Sequence, residues 1–171
     1  MIATVAGFTE YFEGVRRRTR HFFEAIPAER VDWAPQAGEY TCGDIVRHVA
    51  ATEAMFTGVV ADGRWDYAGH ERALAPTLAA ALARLDTGHA AAVARLGRLS
   101  DAALAEARPA LEPGARPVRA WRLLMAMVEH EVHHRSQVAS YLTSMGLEAP
   151  DIFGLGVEDV ERLTAPAAGR A

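Results

Sequence analysis

The stretch Glu129 to Gln137, EHEVHHRSQ, puts three of the chain's seven histidines into five consecutive positions of an otherwise apolar run. An α-helix turns once per ~3.6 residues, so His130 and His134 share one face and can reach a single ion, while His133 points about 100° away from His134. The same letters read H-E-x-x-H, a pattern in which two histidines hold zinc and the glutamate, here Glu131, acts as general base. Two metal ligands are thus set by spacing alone, and the remaining chain has to supply the others.

The periodicity elsewhere is helical. From Ile2 to Ile26 apolar residues recur at Val5, Phe8, Phe12, Val15, Phe22 and Ile26, with Thr19 completing the three-and-four spacing of a long amphipathic helix that Pro27 ends. Pro27 to Tyr40 has no period and reads as an ordered connection with Trp33 tucked against the bundle. Thr41 N-caps a second helix, with Asp44 in the capping-box position, and Ile45, Val49, Thr52, Phe56 and Val59 mark its buried face. A break is expected from Gly58 to Gly69, and then a third helix carrying Leu74, Leu78, Leu82, Leu85, Val93, Leu96 and Leu99. Ser100 to Pro117 reads as a second irregular connection with a helical turn over Asp101 to Ala105. The fourth helix runs from about Val118 to Met145, with Leu124, Met127, His130, His134, Val138 and Leu142 inward and Gly146 as its stop. Four helices without a credible strand pattern give an all-α four-helix bundle, one domain over residues 1–163 followed by a disordered tail over 164–171.

His48 lies on the buried stripe of the second helix. A lone histidine there is ordinarily a satisfied core residue, but His130 and His134 need a third partner, and His48 is placed to provide it. The chain resembles the DinB-like (DinB/YfiT) metal-binding four-helix bundles. The resemblance rests on Trp33 and Pro35 ahead of a capped helix bearing His48, on HEVHHRSQ, and on the tail YLTSMGLEAPDIFG. It implies an up-down-down-up bundle with long connections and one divalent ion held by His48, His130 and His134. It also implies a homodimer and, as the best-understood activity of such proteins, S-transfer or isomerisation with a low-molecular-weight thiol cosubstrate and a small-molecule electrophile. Ser136 stands where these proteins usually have glycine, and Thr41-Cys42 replaces a usual serine; neither is a ligand position.

Three imidazoles leave coordination positions open, and they accept zinc, nickel, iron or manganese. Two further functions remain in view: a metal-dependent hydrolase using bound water, with Glu131 orienting the water or standing as an exposed helix carboxylate, and a non-catalytic stress-related protein stapled by its metal. A metzincin protease is excluded, since it would need glycine at Gln137 and histidine at Ser140. His133, Arg135 and Gln137 read as residues that pack the helix or partner the ligands, and Glu53 as a group that could orient His48. His89 lies on a buried stripe too. An up-down-down-up order leaves it about two turns too deep to ligate, whereas simple up-and-down order would bring it level.

Charge and composition narrow the partners. A net charge of −4 over 171 residues gives no reason to expect nucleic acid, and the cluster Arg16, Arg17, Arg18 and Arg20 reads as a solvated helix face. There is no lysine, which excludes Schiff-base chemistry. The single cysteine, Cys42, excludes an internal disulfide and fits a reducing cytoplasm. It precedes His48 by six residues, ~9 Å along the axis and out of phase, so it reads as a small side chain at a helix entrance rather than a ligand or nucleophile. Neither a secretory leader nor a span of ~20 apolar residues is expected.

Overall fold

The computed structural model describes residues 3–165. Four long helices carry the chain: α1 (Val5–Glu24), α2 (Cys42–Asp62), α3 (Leu78–Leu96) and α4 (Ala120–Ser144). Two short strands, β1 (Ala107–Arg108) and β2 (Val118–Arg119), pair antiparallel just before α4, and a short helix α5 (Val157–Thr164) follows it. No helix among the described residues is long and apolar enough to cross a membrane.

Two apolar cores fix the direction of each helix. One joins Phe22 and Phe23 at the end of α1 to Ile45, Val46 and Val49 at the start of α2, Leu78 and Leu85 at the start of α3, and Val138 and Leu142 late in α4. The other joins Val5, Phe8 and Phe12 to Val59 and Val60, Leu96, and Leu123 to Val128. α1 and α4 therefore run one way and α2 and α3 the other, which is the up-down-down-up order. α2 packs on α3 and α4, and α1 packs on the same two helices from the opposite side.

Parallel α2 and α3 require the chain to return along the bundle, and residues 63–77 do so. α2 runs past Gly58 to Asp62 because a glycine inside a helix costs only about 1 kcal/mol; the stop is Gly63, whose φ of 71° is the left-handed conformation a helix C-cap favours. Leu74, expected in α3, is instead exposed in a 3-10 turn, and α3 begins after the Thr77 N-cap. At the far end of the crossover, fully buried Arg47 donates to the carbonyl of Ala75 (2.8 Å) and to Asp44 (2.6 Å), pinning the entry of α3 beside that of α2. The reciprocal bonds between Thr41 and Asp44 form the expected capping box.

The β1–β2 ladder is two residues long and carries no sequence period, which is why pattern alone does not reveal it. It ties the second connection to the bundle end, where Arg108 donates to the carbonyl of Val60 (2.6 Å). The expected turn over Asp101–Ala105 is present, and Asp101 accepts from the backbone N–H of Val5 (2.8 Å) at the start of α1. α5 was not anticipated, and none of its residues is buried. The tail expected over 164–171 lies, from residue 166 on, outside the described residues.

Between the two cores lies a polar layer. Arg16, read from sequence as part of a solvated face, is buried, and its guanidinium binds both oxygens of Glu131 (3.1 and 2.6 Å). It also stands 2.9 Å from Glu53 in an ion pair that is short but poorly aligned for a hydrogen bond. Burial alone would lower the Arg16 pKa; Glu53 and Glu131 outweigh it and raise it. Arg17 is exposed and Arg20 pairs with Glu24 and Asp86, so the solvated reading holds only away from the bundle axis. Removing one partner of a buried ion pair strands the other, at a cost of about 3–5 kcal/mol. Arg16→Met is accordingly expected to lose stability on that scale in urea unfolding, and Arg17→Met to lose less than about 0.5 kcal/mol.

Candidate metal centre

Three imidazoles converge between α2 and α4. His130 and His134 lie one turn apart on α4, as the i, i+4 spacing requires, and His48 faces them from α2. The Nε2 atoms of His48 and His130 are 3.0 Å apart, and those of His134 and His130 are 3.1 Å apart. Within this trio every ligand atom lies within 4.8 Å of the others. Two nitrogens bound at ~2.0–2.1 Å in tetrahedral geometry stand roughly 3.3 Å apart, so the spacing suits a single ion.

Behind each ring stands an oxygen. Tyr67, on the crossover, is 2.6 Å from His48 Nδ1; Gln137 Oε1 is 2.9 Å from His134 Nδ1; Thr52 Oγ1 is 3.4 Å from His130 Nδ1. The Thr52 hydroxyl spends its proton on the carbonyls of His48 and Val49, leaving a lone pair toward His130. Each of these oxygens can accept a proton from Nδ1, and in that tautomer the three Nε2 lone pairs would point at one another, as binding of one ion requires.

The electrostatics agree. Burial, then repulsion from His134, pushes the His48 pKa down to about 4, and burial with repulsion from His134 and His48 takes His130 to about 4. Burial also lowers His134, against an opposing contribution from Gln137. All three are neutral near pH 7, the state a metal ligand needs. The groups acting on them are other histidines and Gln137, with no carboxylate among them.

The other sequence candidates lie elsewhere. Glu131 is not brought to the imidazoles, and it is not an exposed carboxylate either: one position on from His130 it faces α1, buried and clamped by Arg16. Glu53 does not orient His48 but accepts from His89 (2.7 Å). His89, outside the trio, also meets Glu13 at 3.3 Å and stacks edge-on with Phe12, as its greater depth in this topology dictates. His133 is exposed, its ring edge-on to His134. Arg135 packs over the Phe22 ring on the α1 side. Gln137 partners His134 through Nδ1, one of the two roles the sequence offered it. Cys42 is fully buried, and burial pushes its thiol up to about 11, so it is an inert core residue.

Tyr67 and Thr52 are the residues that sequence reasoning missed in this role. Thr52 carried a signal, lying one turn beyond His48 on the same stripe. Tyr67 carried none, because it sits in an aperiodic crossover.

The profile of the DinB superfamily matches residues 11–138. The chain belongs to this superfamily. Its fold is shared with the crystal structure of a DinB-like protein from Bacillus cereus ATCC 10987, with a TM-score of 0.74 and 18% identity over 88% of this chain and 99% of that one. A DinB-like protein from Bacillus subtilis aligns with a TM-score of 0.66 and 20% identity over 85% of this chain and 96% of that one. No curated protein matches the chain in sequence.

The two histidine environments make opposite pH demands. His48 and His130 titrate lower in the fold than in the unfolded chain, where histidine takes its proton near pH ~6.5, so their contribution is present above that value and lost as pH falls toward 4. For His89 burial alone would lower the pKa, but the hydrogen bond and charge of Glu53 raise it; its contribution is full below pH ~6.5 and lost as pH rises through the folded value. Metal-free protein is therefore expected to lose stability on both sides in urea titrations. His89→Gln should remove the alkaline limb and leave the acid limb in place.

Proposed function

We propose that this chain is a divalent-metal protein in which His48, His130 and His134 hold one ion through Nε2. The observation that carries this reading is the convergence of the three Nε2 atoms with an oxygen behind each opposite nitrogen. A purely structural zinc site would have four protein ligands; three leave a position for an exchangeable group. Such an ion, when bound, supplies Lewis acidity and lowers the pKa of a coordinated water or thiol. The residues around it supply position. Thr52, Tyr67 and Gln137 keep the three rings in one tautomer, and the three ligands are neutral, so the doubly positive charge of the ion is left for an anionic fourth ligand to balance.

That charge balance supports thiol-dependent S-transfer or isomerisation, in which a low-molecular-weight thiol enters as thiolate and meets a small-molecule electrophile. The identity of the metal within the set zinc, nickel, iron and manganese is part of the same proposal, as is a cytoplasmic setting. The rival hydrolase reading uses hydroxide as the anionic ligand and has to find its proton acceptor elsewhere than Glu131, whose two oxygens are held by Arg16. A non-catalytic role has the ion joining α2 to α4. The exposed apolar side chains Ile152, Phe153, Val157 and Leu163 support the further proposal of a homodimer.

Metal analysis of untagged protein is expected to find one ion per chain. His48→Ala, His130→Ala and His134→Ala should each abolish it, and His133→Ala and His89→Ala should retain it. Loss in the His133 variant with retention in the His134 variant would sink the assignment. Turnover of an electrophile only when metal and thiol are both present selects S-transfer or isomerisation; thiol-independent hydrolysis selects the rival. Sedimentation at micromolar concentration should show a dimer, and monomer alone refutes that part.

A further inference from the structure

We propose that Tyr141 is a positioning residue that, acting through Gln137, fixes which ring nitrogen His134 turns toward His130 and His48. Tyr141 lies one turn beyond Gln137 on α4 and is buried, with the Trp33 ring edge-on to it at 5.3 Å. Its hydroxyl is 3.1 Å from the backbone carbonyl of Tyr40. A carbonyl only accepts, so the Tyr141 proton is committed there and the phenol oxygen is left to accept.

The amide of Gln137 has one donating and one accepting end. Its Nε2 lies 3.0 Å from the Tyr141 hydroxyl and donates to it. Oε1 must then face His134 Nδ1, at 2.9 Å, and can receive only a proton carried on that nitrogen. Nε2 of His134 is left with its lone pair, directed at His130 Nε2 3.1 Å away. Each step permits one direction, and the direction is set at the Tyr40 carbonyl. Without the hydroxyl, Gln137 is free to turn over, and its NH2 group would then favour the His134 tautomer that has no lone pair for a ligand.

The anchor is itself part of the site. The Tyr40 ring packs edge-on to His48 at 5.3 Å, and the residue immediately precedes Thr41, the N-cap of α2. One residue of the first connection therefore sets His134 through its backbone and contacts His48 through its side chain.

The proposal rests on the metal reading for the use made of the lone pair, but not for the tautomer, so the test reads both. In metal-free full-length protein, imidazole 15N spectra near pH 7.5 should show His134 protonated on Nδ1, and Tyr141→Phe should bring in the Nε2-protonated form. Gln137→Met, which leaves the Tyr141–Tyr40 bond intact, should do the same and serves if the phenylalanine variant does not fold. Zinc affinity, measured by chelator competition, should fall about tenfold in Tyr141→Phe. In a Gln137→Glu background, where either carboxylate oxygen accepts from Nδ1, adding Tyr141→Phe should cost nothing further. An unchanged His134 tautomer in both variants, or an equal zinc loss in both backgrounds, overturns the proposal. A tautomer change in a protein that binds no zinc would sink the metal reading and leave the positioning role standing.

Discussion

The guanidinium of Arg16 is the tie on which this bundle depends. It reaches from α1 to Glu131 on α4 and Glu53 on α2, and Glu53 passes the contact to His89 on α3, so one buried group connects all four helices at mid-height. Apolar packing above and below sets the stability of such a bundle but tolerates sliding and rotation. A buried charge with fixed partners does not, because each helix has one phase and one height at which its member can be paired. Arg16 faces two carboxylates, and the hydrogen bond and charge of Glu53 raise the His89 pKa against its burial, so the layer favours a second positive charge beside Glu53.

This layer and the imidazole trio stand back to back. Glu131 is the neighbour of His130 in sequence and Glu53 the neighbour of Thr52, so on both helices one residue faces the ion layer and the next faces the candidate metal centre. The phase that satisfies Arg16 is the phase that presents the histidines. That is also why Glu131, the glutamate of an H-E-x-x-H pattern, is not free for proton transfer: a single step of about 100° around α4 carries it from the groove to the core.

What could be read in the sequence follows the same physics. The helices, the capping at Thr41, the helical turn at Asp101 and the His130–His134 pair were legible because spacing along a helix translates directly into a face, whereas His48 followed only from that pair's need of a third partner and from the family resemblance. The buried state of Arg16 was not, because its partners lie 115 and 37 positions away and local pattern shows only a charged residue among arginines. The helix boundaries at Asp62 and Leu78 were displaced for a related reason: Gly58 sits inside a helix that tertiary packing holds, and Leu74 lies in a crossover whose path topology dictates. Tyr67 joins the site from the crossover and the Tyr40 carbonyl joins Tyr141 from the first connection, contacts made only in three dimensions that no periodicity announces.

The up-down-down-up order has a consequence for synthesis. α1 and α4, at opposite ends of the sequence, are neighbours and run parallel, and two of the three imidazoles come from α4. A chain emerging from the ribosome can dock α2 on α3 early, since these are joined by the 63–77 crossover, but it carries a single imidazole of the trio until the last long helix is out. Arg16 likewise waits for Glu131. The ion layer and the histidine trio are thus completed in one late event, the docking of α4, because Glu131 and two of the three imidazoles arrive together on that helix.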